Sequence, residues 1–161
     1  MNQAKNISFC VVSLMTGLSL QAFAGPSTTQ TVSYEMRAIN EITVSGSPSL
    51  IISTATAGSA PDAVTAAGTY NITTNSNAAR KITGALDSNM VAGVTLSVTL
   101  GAPTGASATK QPLTTAPVDL VTGISKLNET GKTITYELQA TSAAGEVAAA
   151  TKTVTYTITA G

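Results

Sequence analysis

Several residue types that carry chemistry in proteins are missing or scarce in this sequence. Its 161 residues include no His, no Trp and a single Cys, and only 10% are charged and 4% aromatic. Without His, the usual Ser-His-Asp hydrolase is excluded and the commonest metal ligand is absent. Eight basic side chains balance eight acidic ones. This balance argues against a nucleic-acid binder, because neutralising phosphates requires clustered Lys and Arg.

The N-terminal segment has the pattern of a secretory signal peptide, which we assign to residues 1–24. Lys5 supplies the initial positive charge, an apolar run extends from Ile7 to Leu20, and Ala22-Phe23-Ala24 places small residues where a signal peptidase requires them. We therefore predict cleavage before Gly25 and export to the periplasm, the cell surface or the extracellular space. The alternative is a membrane anchor, but the run is shorter than the roughly 20 residues that span a bilayer. We expect no membrane span after the signal is removed.

The predicted mature chain, residues 25–161, has the pattern of a single β domain. Apolar and polar residues alternate in short runs between clusters of Gly, Pro, Asn and Ser, and helical periodicity is nearly absent. This alternation predicts strands over residues 31–38, 40–45, 49–54, 69–74, 80–86, 93–100, 118–122, 132–140 and 152–160. Such a pattern favours an all-β, antiparallel, immunoglobulin-like sandwich of about 7–9 strands. A small closed barrel is the alternative.

Two segments near the C-terminus resemble each other, KTITYELQA at 132–140 and KTVTYTITA at 152–160. Each has one apolar and one polar row, the pattern of an antiparallel strand with one buried face. We interpret the similarity as two strands that meet the same packing demand.

The four tyrosines lie on the apolar side of predicted strands, which favours core positions over a sugar-stacking site; they are Tyr34, Tyr70, Tyr136 and Tyr156.

No grouping of nucleophiles, acids or metal ligands in the sequence indicates an active site. Ser107 and Lys110 have the spacing of a Ser-Lys dyad, but they lie in the Pro-interrupted loop Gly101–Pro117 without the companion motifs. The Asp and Glu residues are scattered singly, with no calcium-loop spacing. We therefore expect no catalytic residue, no cofactor and no metal. Asn71 and Asn128 fit the N-glycosylation acceptor pattern, which matters only if the source glycosylates exported proteins.

The signal peptide, the Thr/Ala/Gly-rich domain and the alternating first strand, TVSYEMRA, resemble subunits of chaperone–usher fimbriae. In that family an alternating N-terminal extension completes the incomplete immunoglobulin-like sheet of a neighbouring subunit by strand addition. The resemblance implies that the donor side chains filling the acceptor's groove would be Val32, Tyr34, Met36 and Ala38. The chain departs from the family in lacking a disulfide and in having five residues after its last Tyr instead of a penultimate Tyr.

These observations lead to three functional hypotheses. The first is a non-enzymatic structural or adhesive protein at the bacterial surface, assembling by strand addition with itself or with other surface subunits. The second is a secreted module that binds a ligand or partner in the Gly101–Pro117 region. The third is a His-free enzyme, which would require Asp, Glu or Lys side chains converging in a pocket. None of the three involves nucleic acid.

Overall fold

The computed structural model describes residues 25–161, so the predicted signal peptide lies outside the described residues. Residues 36–161 form one compact unit. The strands are β1 (Asn40–Ser45), β2 (Val64–Thr74), β3 (Arg80–Leu86), β4 (Val94–Leu100), β5 (Ser107–Ala108), β6 (Gln111–Pro112), β7 (Val118–Ile124), β8 (Leu127–Ala140) and β9 (Val154–Ala160). A 3-10 turn, Ser142–Ala144, follows β8. Within residues 25–161, no helix is long and apolar enough to cross a membrane.

The nine strands form two antiparallel sheets. One has five strands in the order β1-β2-β8-β4-β6, and the other has four in the order β5-β7-β3-β9. Both sheets have free ends, so the chain is not a closed barrel, and the predicted antiparallel β-sandwich is confirmed. The β2–β3 connection and the long loop from β8 to β9 both pass from one sheet to the other.

The core lies between the sheets and consists of the inward-facing side chains of their strands. β2 alternates exposed with buried residues along its second half, and β4, β7 and β8 each contribute buried aliphatic side chains. The most completely buried apolar side chains are Tyr70, Ile72, Ile82, Val98, Leu100, Leu120, Val121, Ile124 and Ile134. Because the predicted mature chain has no Cys, this burial replaces a disulfide as the source of stability. Each such side chain contributes about 1.5–3 kcal/mol when fully buried.

Two predicted strands are absent from the sheets. Residues 31–38 and 49–54 carry the alternating pattern, but neither forms a strand, and the nearest pairing is an isolated bridge between Ala55 and Pro61. The pattern identifies a segment that can pair, whereas a strand exists only where a partner edge is available. By contrast, the bounds predicted for β1 and β3 match the structure at both ends.

The loop predicted between Gly101 and Pro117 is held into the fold by β5 and β6. These strands have two residues each, too few to show a periodicity in the sequence. Residues adjoining these two strands are hydrogen-bonded to both sheets: the Thr109 N–H donates to the Leu120 carbonyl at 3.0 Å, and the Leu113 N–H donates to the Leu96 carbonyl at 2.8 Å. This side of the sandwich is therefore closed by the chain itself.

Candidate functional site

β9 is an unprotected edge of the four-stranded sheet. It pairs with β3 over seven residues, from Arg80 opposite Ala160 to Leu86 opposite Val154, without a register shift. No strand among residues 25–161 pairs with its other side. Natural proteins usually protect such an edge with Lys, Pro, a bulge or a very short strand. β9, with the sequence VTYTITA, has none of these devices.

The other three sheet ends are less available for pairing. β5 and β6 have two residues each, and β6 ends on Pro112, which has no N–H to donate. β1 is six residues long and carries a charge at Glu41. β9 is therefore the longest uncharged edge that residues 25–161 present to another strand.

The hydrophobic layer is incompletely covered on the side where β1 approaches β9. Val44 of β1 lies opposite the buried Tyr70 and so belongs to the inward row, yet it is 50% exposed. The inward row of β9 packs against the core but remains only partly buried; its members are Val154, Tyr156 and Ile158. We call the region between β1 and β9 the open side, defined by Ile42, Val44, Val154, Tyr156 and Ile158.

The tyrosines of the two similar segments meet across the sandwich. Tyr136 lies in β8 of one sheet and Tyr156 in β9 of the other, and the Tyr156 hydroxyl donates to the Tyr136 hydroxyl at 2.8 Å. Burial and this hydrogen bond raise the pKa of Tyr156 well above its ordinary value. The neutral phenol is thus strongly favoured in the folded protein, and the side chain is a structural member of the open side.

The four predicted donor residues all lie on the surface. Val32 is 76% exposed, Tyr34 96% and Met36 79%, and Ala38 is also exposed. The structure places none of them in a strand, so their donor role stays a prediction. The core position predicted for Tyr34 is wrong, whereas Tyr70 and Tyr136 are buried and Tyr156 is partly buried, as predicted. Tyr34 looks like a core residue in sequence because its neighbours alternate, but residues 31–38 form no strand in the described part of the chain.

The residues of the predicted Ser-Lys spacing do not form a dyad. The Lys110 ammonium is paired with Glu137 at 2.6 Å, and Ser107 begins the two-residue strand β5. Two further cation–carboxylate pairs, Lys81–Asp119 at 3.1 Å and Lys132–Glu129 at 2.9 Å, lie on separate parts of the surface. Among residues 25–161 no three His, Cys, Asp or Glu side chains are grouped as metal ligands.

The surface also has a shallow depression beside the β8–β9 connection. It has a volume of about 340 Å³ and is lined by small or uncharged side chains; these are Ala60, Pro61, Ala63, Gly93, Thr95, Gln139, Ala140 and Thr141. Ligand sites usually combine an enclosed apolar wall with a few convergent polar groups. The depression contains no titratable side chain, so it offers no group for acid–base chemistry.

The fold is an all-β sandwich in which β9 is an edge strand, with no pairing partner on its outer side among residues 25–161. In sequence, the chain matches no protein-family model and no curated protein.

Proposed function

We propose that the protein is a non-enzymatic structural or adhesive protein, exported to the bacterial surface, that assembles by strand addition. Residues 31–38 of one copy act as the donor strand and pair with β9 of a second copy, covering the open side. The observation that carries this proposal is the seven-residue outer edge of β9, which has no partner among the described residues and no Lys, Pro or bulge to protect it.

Donor and acceptor match in length and pattern. The donor segment has eight residues with an apolar residue at every second position, and β9 has seven with its own apolar inward row. In strand addition the backbone hydrogen bonds supply affinity and the alternating side chains supply specificity. Val32, Tyr34 and Met36 would enter the region beside Val44 and Tyr156, where apolar surface is partly exposed.

The energetic balance makes the apolar row necessary. Ordering the backbone of a free segment costs roughly 1–2 kcal/mol per residue, and a backbone hydrogen bond returns only about 0.5–1.5 kcal/mol net. Burial of a side chain such as Val or Met adds about 1.5–3 kcal/mol. Substituting the inward side chains of residues 31–38 should therefore abolish pairing even though every backbone hydrogen bond remains available.

The test compares donor variants of the protein purified after export. Light scattering coupled to size-exclusion chromatography measures mass as a function of protein concentration for wild type, for deletion of residues 31–38, for Tyr34→Asp and for the matched control Ser33→Asp. We expect concentration-dependent oligomers for wild type and Ser33→Asp, and monomers for the deletion and Tyr34→Asp. A wild-type monomer at all concentrations would contradict the proposal.

A peptide experiment tests the acceptor separately. The peptide TVSYEMRA should bind the deletion variant and raise its melting temperature, because a ligand that binds only the folded state stabilises it. A control peptide with Ser at the positions of Val32, Tyr34 and Met36 should not. Equal binding of both peptides would show that the acceptor does not recognise the apolar side chains of the donor.

The second hypothesis, a ligand-binding module, gains no comparable support. The Gly101–Pro117 region is held by hydrogen bonds to both sheets and by the two short strands.

A further inference from the structure

Asn75 holds the chain in line with β1 just before that strand begins. The Ile39 N–H donates to Asn75 Oδ1 at 2.8 Å, and Asn75 Nδ2 donates to the Arg37 carbonyl at 2.7 Å. The Asn75 N–H also donates to the Ile39 carbonyl at 3.3 Å. Since Asn40 pairs with Thr74 in the β1–β2 ladder, these three bonds extend that ladder past the end of β1.

The direction of this extension decides whether the donor segment can reach the β9 of its own chain or only that of a second copy. Arg80, which follows β2 after a short turn, lies opposite Ala160, so β9 ends at the same end of the sandwich at which β1 begins. To lie along its own β9, the chain would have to reverse direction between residues 37 and 40. Asn75 instead holds Arg37 and Ile39 in continuation of β1.

The sequence before β1 also opposes a reversal. Residues 37–39, Arg-Ala-Ile, where such a reversal would have to start, contain no Gly, Pro, Asn, Asp or Ser, the residues that most readily form tight turns. Ile39 is β-branched, and such residues favour extended backbone. The hydrogen bonds of Asn75 and the local residue preferences therefore act in the same sense.

We propose that Asn75 is a positioning residue that directs residues 31–38 away from the β9 of their own chain and toward a second copy. This inference rests on the proposed function and specifies it: pairing is between molecules, and the clamp formed by Asn75 disfavours self-completion. Because donor and acceptor are different surfaces, the contact is head-to-tail and can propagate into an open chain, unlike a symmetric pairing of two β9 edges.

Disulfide trapping separates the two pairings. Cys10 is the single Cys of the chain, so a Cys10→Ser background gives free choice of new thiols. Ser33 alternates with the inward row of the donor, and Thr157 alternates with the inward row of β9, so both face outward if the donor pairs there. In parallel samples the β9 cysteine is placed at position 155 or 159 in place of position 157, by Thr155→Cys or Thr159→Cys, to cover the neighbouring registers.

Two samples are compared on non-reducing gels after mild oxidation. A mixture of Ser33→Cys chains with Thr157→Cys chains can form a donor–acceptor disulfide only between molecules. A chain carrying both substitutions forms a ladder when pairing is between molecules and a closed monomer of altered mobility when pairing is within one. We expect mixed dimers and a ladder in the background of wild-type Asn75 and in the matched control Asn77→Ala, since Asn77 is exposed in the same turn.

In Asn75→Ala, the ratio of closed monomer to ladder should rise about tenfold, the change that about 1.4 kcal/mol produces. Asn75→Asp should give an intermediate ratio, because its carboxylate still accepts from the Ile39 N–H but cannot donate to the Arg37 carbonyl. A purely structural role for Asn75 would lower the melting temperature without changing this ratio.

The outcomes distinguish the two proposals. An unchanged ratio in Asn75→Ala, with mixed dimers still formed, would overturn the role of Asn75 and leave strand addition intact. If no mixed dimer forms at any of the three β9 positions, strand addition by residues 31–38 itself is overturned. Disulfides between two Thr157→Cys chains alone would indicate symmetric β9 pairing and would also overturn it.

Discussion

The hydroxyl of Tyr156 donates a 2.8 Å hydrogen bond to the hydroxyl of Tyr136, joining the edge strand of one sheet to an inner strand of the other. These residues occupy equivalent positions in the two similar C-terminal segments. The similarity therefore has a physical counterpart: two strands of like sequence lie in opposite sheets, and their tyrosine hydroxyls are hydrogen-bonded to each other. Because Tyr156 belongs to the open side, the bond supports the inward row of the proposed acceptor strand.

A double-mutant cycle tests the energetic coupling of this pair. Tyr136→Phe and Tyr156→Phe should each lower the free energy of unfolding by about 1 kcal/mol, because each leaves one hydroxyl without its partner. The double variant should cost less than the sum, with a coupling of about 0.5–1.5 kcal/mol. Urea denaturation measures the three values. Strict additivity would show that the bond contributes nothing.

Alkaline pH should destabilise the fold through its buried tyrosines. Burial, assisted by the negative charge of Glu129, raises the pKa of Tyr70 to about 12, and burial raises that of Tyr156 further. Since an unfolded Tyr titrates near 10, their stabilising contribution is complete below about pH 10 and is lost as pH rises toward 12. Chemical denaturation across this range should show a falling free energy of unfolding, with a shallower slope for Tyr70→Phe. Equal slopes would contradict the prediction.

Acidic pH should destabilise the fold through Glu129. Its carboxylate accepts hydrogen bonds from the Lys132 ammonium and from the Thr104 N–H, and these contacts lower its pKa to about 2. An unfolded Glu titrates near 4.3, so the contribution is present above that pH and is lost as pH falls toward 2. Glu129→Gln should flatten this part of the stability profile. Lys132→Met should move this loss of stability to higher pH. A pH profile of the free energy of unfolding that neither substitution changes would refute the role of Glu129.

Gly84 is required by the packing between the sheets. A Cβ at this position would lie 2.7 Å from Leu120 Cδ1 and 3.3 Å from Leu113 Cδ2. Gly84→Ala should therefore lower the free energy of unfolding by about 1–3 kcal/mol, the usual cost of overpacking. Adding Leu120→Val, which shortens the obstructing side chain, should recover part of that loss in urea denaturation. A neutral Gly84→Ala would mean that the leucines move aside without cost.

Much of the fold follows from local pattern. Period-2 alternation with Thr on one face identified β1, β3, β4 and most of β7, β8 and β9, because a strand with one buried face needs this spacing. β2 was predicted from residue 69 but begins at Val64. Gly68 interrupts the apolar row there, and a Cβ at Gly68 would lie 3.0 Å from the Ser45 carbonyl oxygen. The residue that obscures the pattern is the one that the close approach of β1 requires.

The sequence predicts the donor half of the candidate site but not the acceptor half. The donor residues, Val32, Tyr34, Met36 and Ala38, were selected from alternation and a family resemblance. The acceptor edge was not identified, because nothing in VTYTITA distinguishes an edge strand from a central one. Likewise, nothing in the sequence indicates the role of Asn75. It lies in a polar turn, and its hydrogen bonds go to the backbone of Arg37 and Ile39, which are far from it in the chain.

The amino-acid sequence specifies the residue types available for chemistry and the alternation that commits most of the chain to antiparallel strands. These are local properties, set by side-chain chemistry and by the two-residue period of extended backbone. Which strands are neighbours depends on the tertiary fold, which pairs β9 on one side alone among residues 25–161 and leaves residues 31–38 outside its strands. Strand pairing joins residues far apart in the chain through backbone hydrogen bonds that are chemically alike in every residue except proline, so the order of strands is not encoded in any one segment.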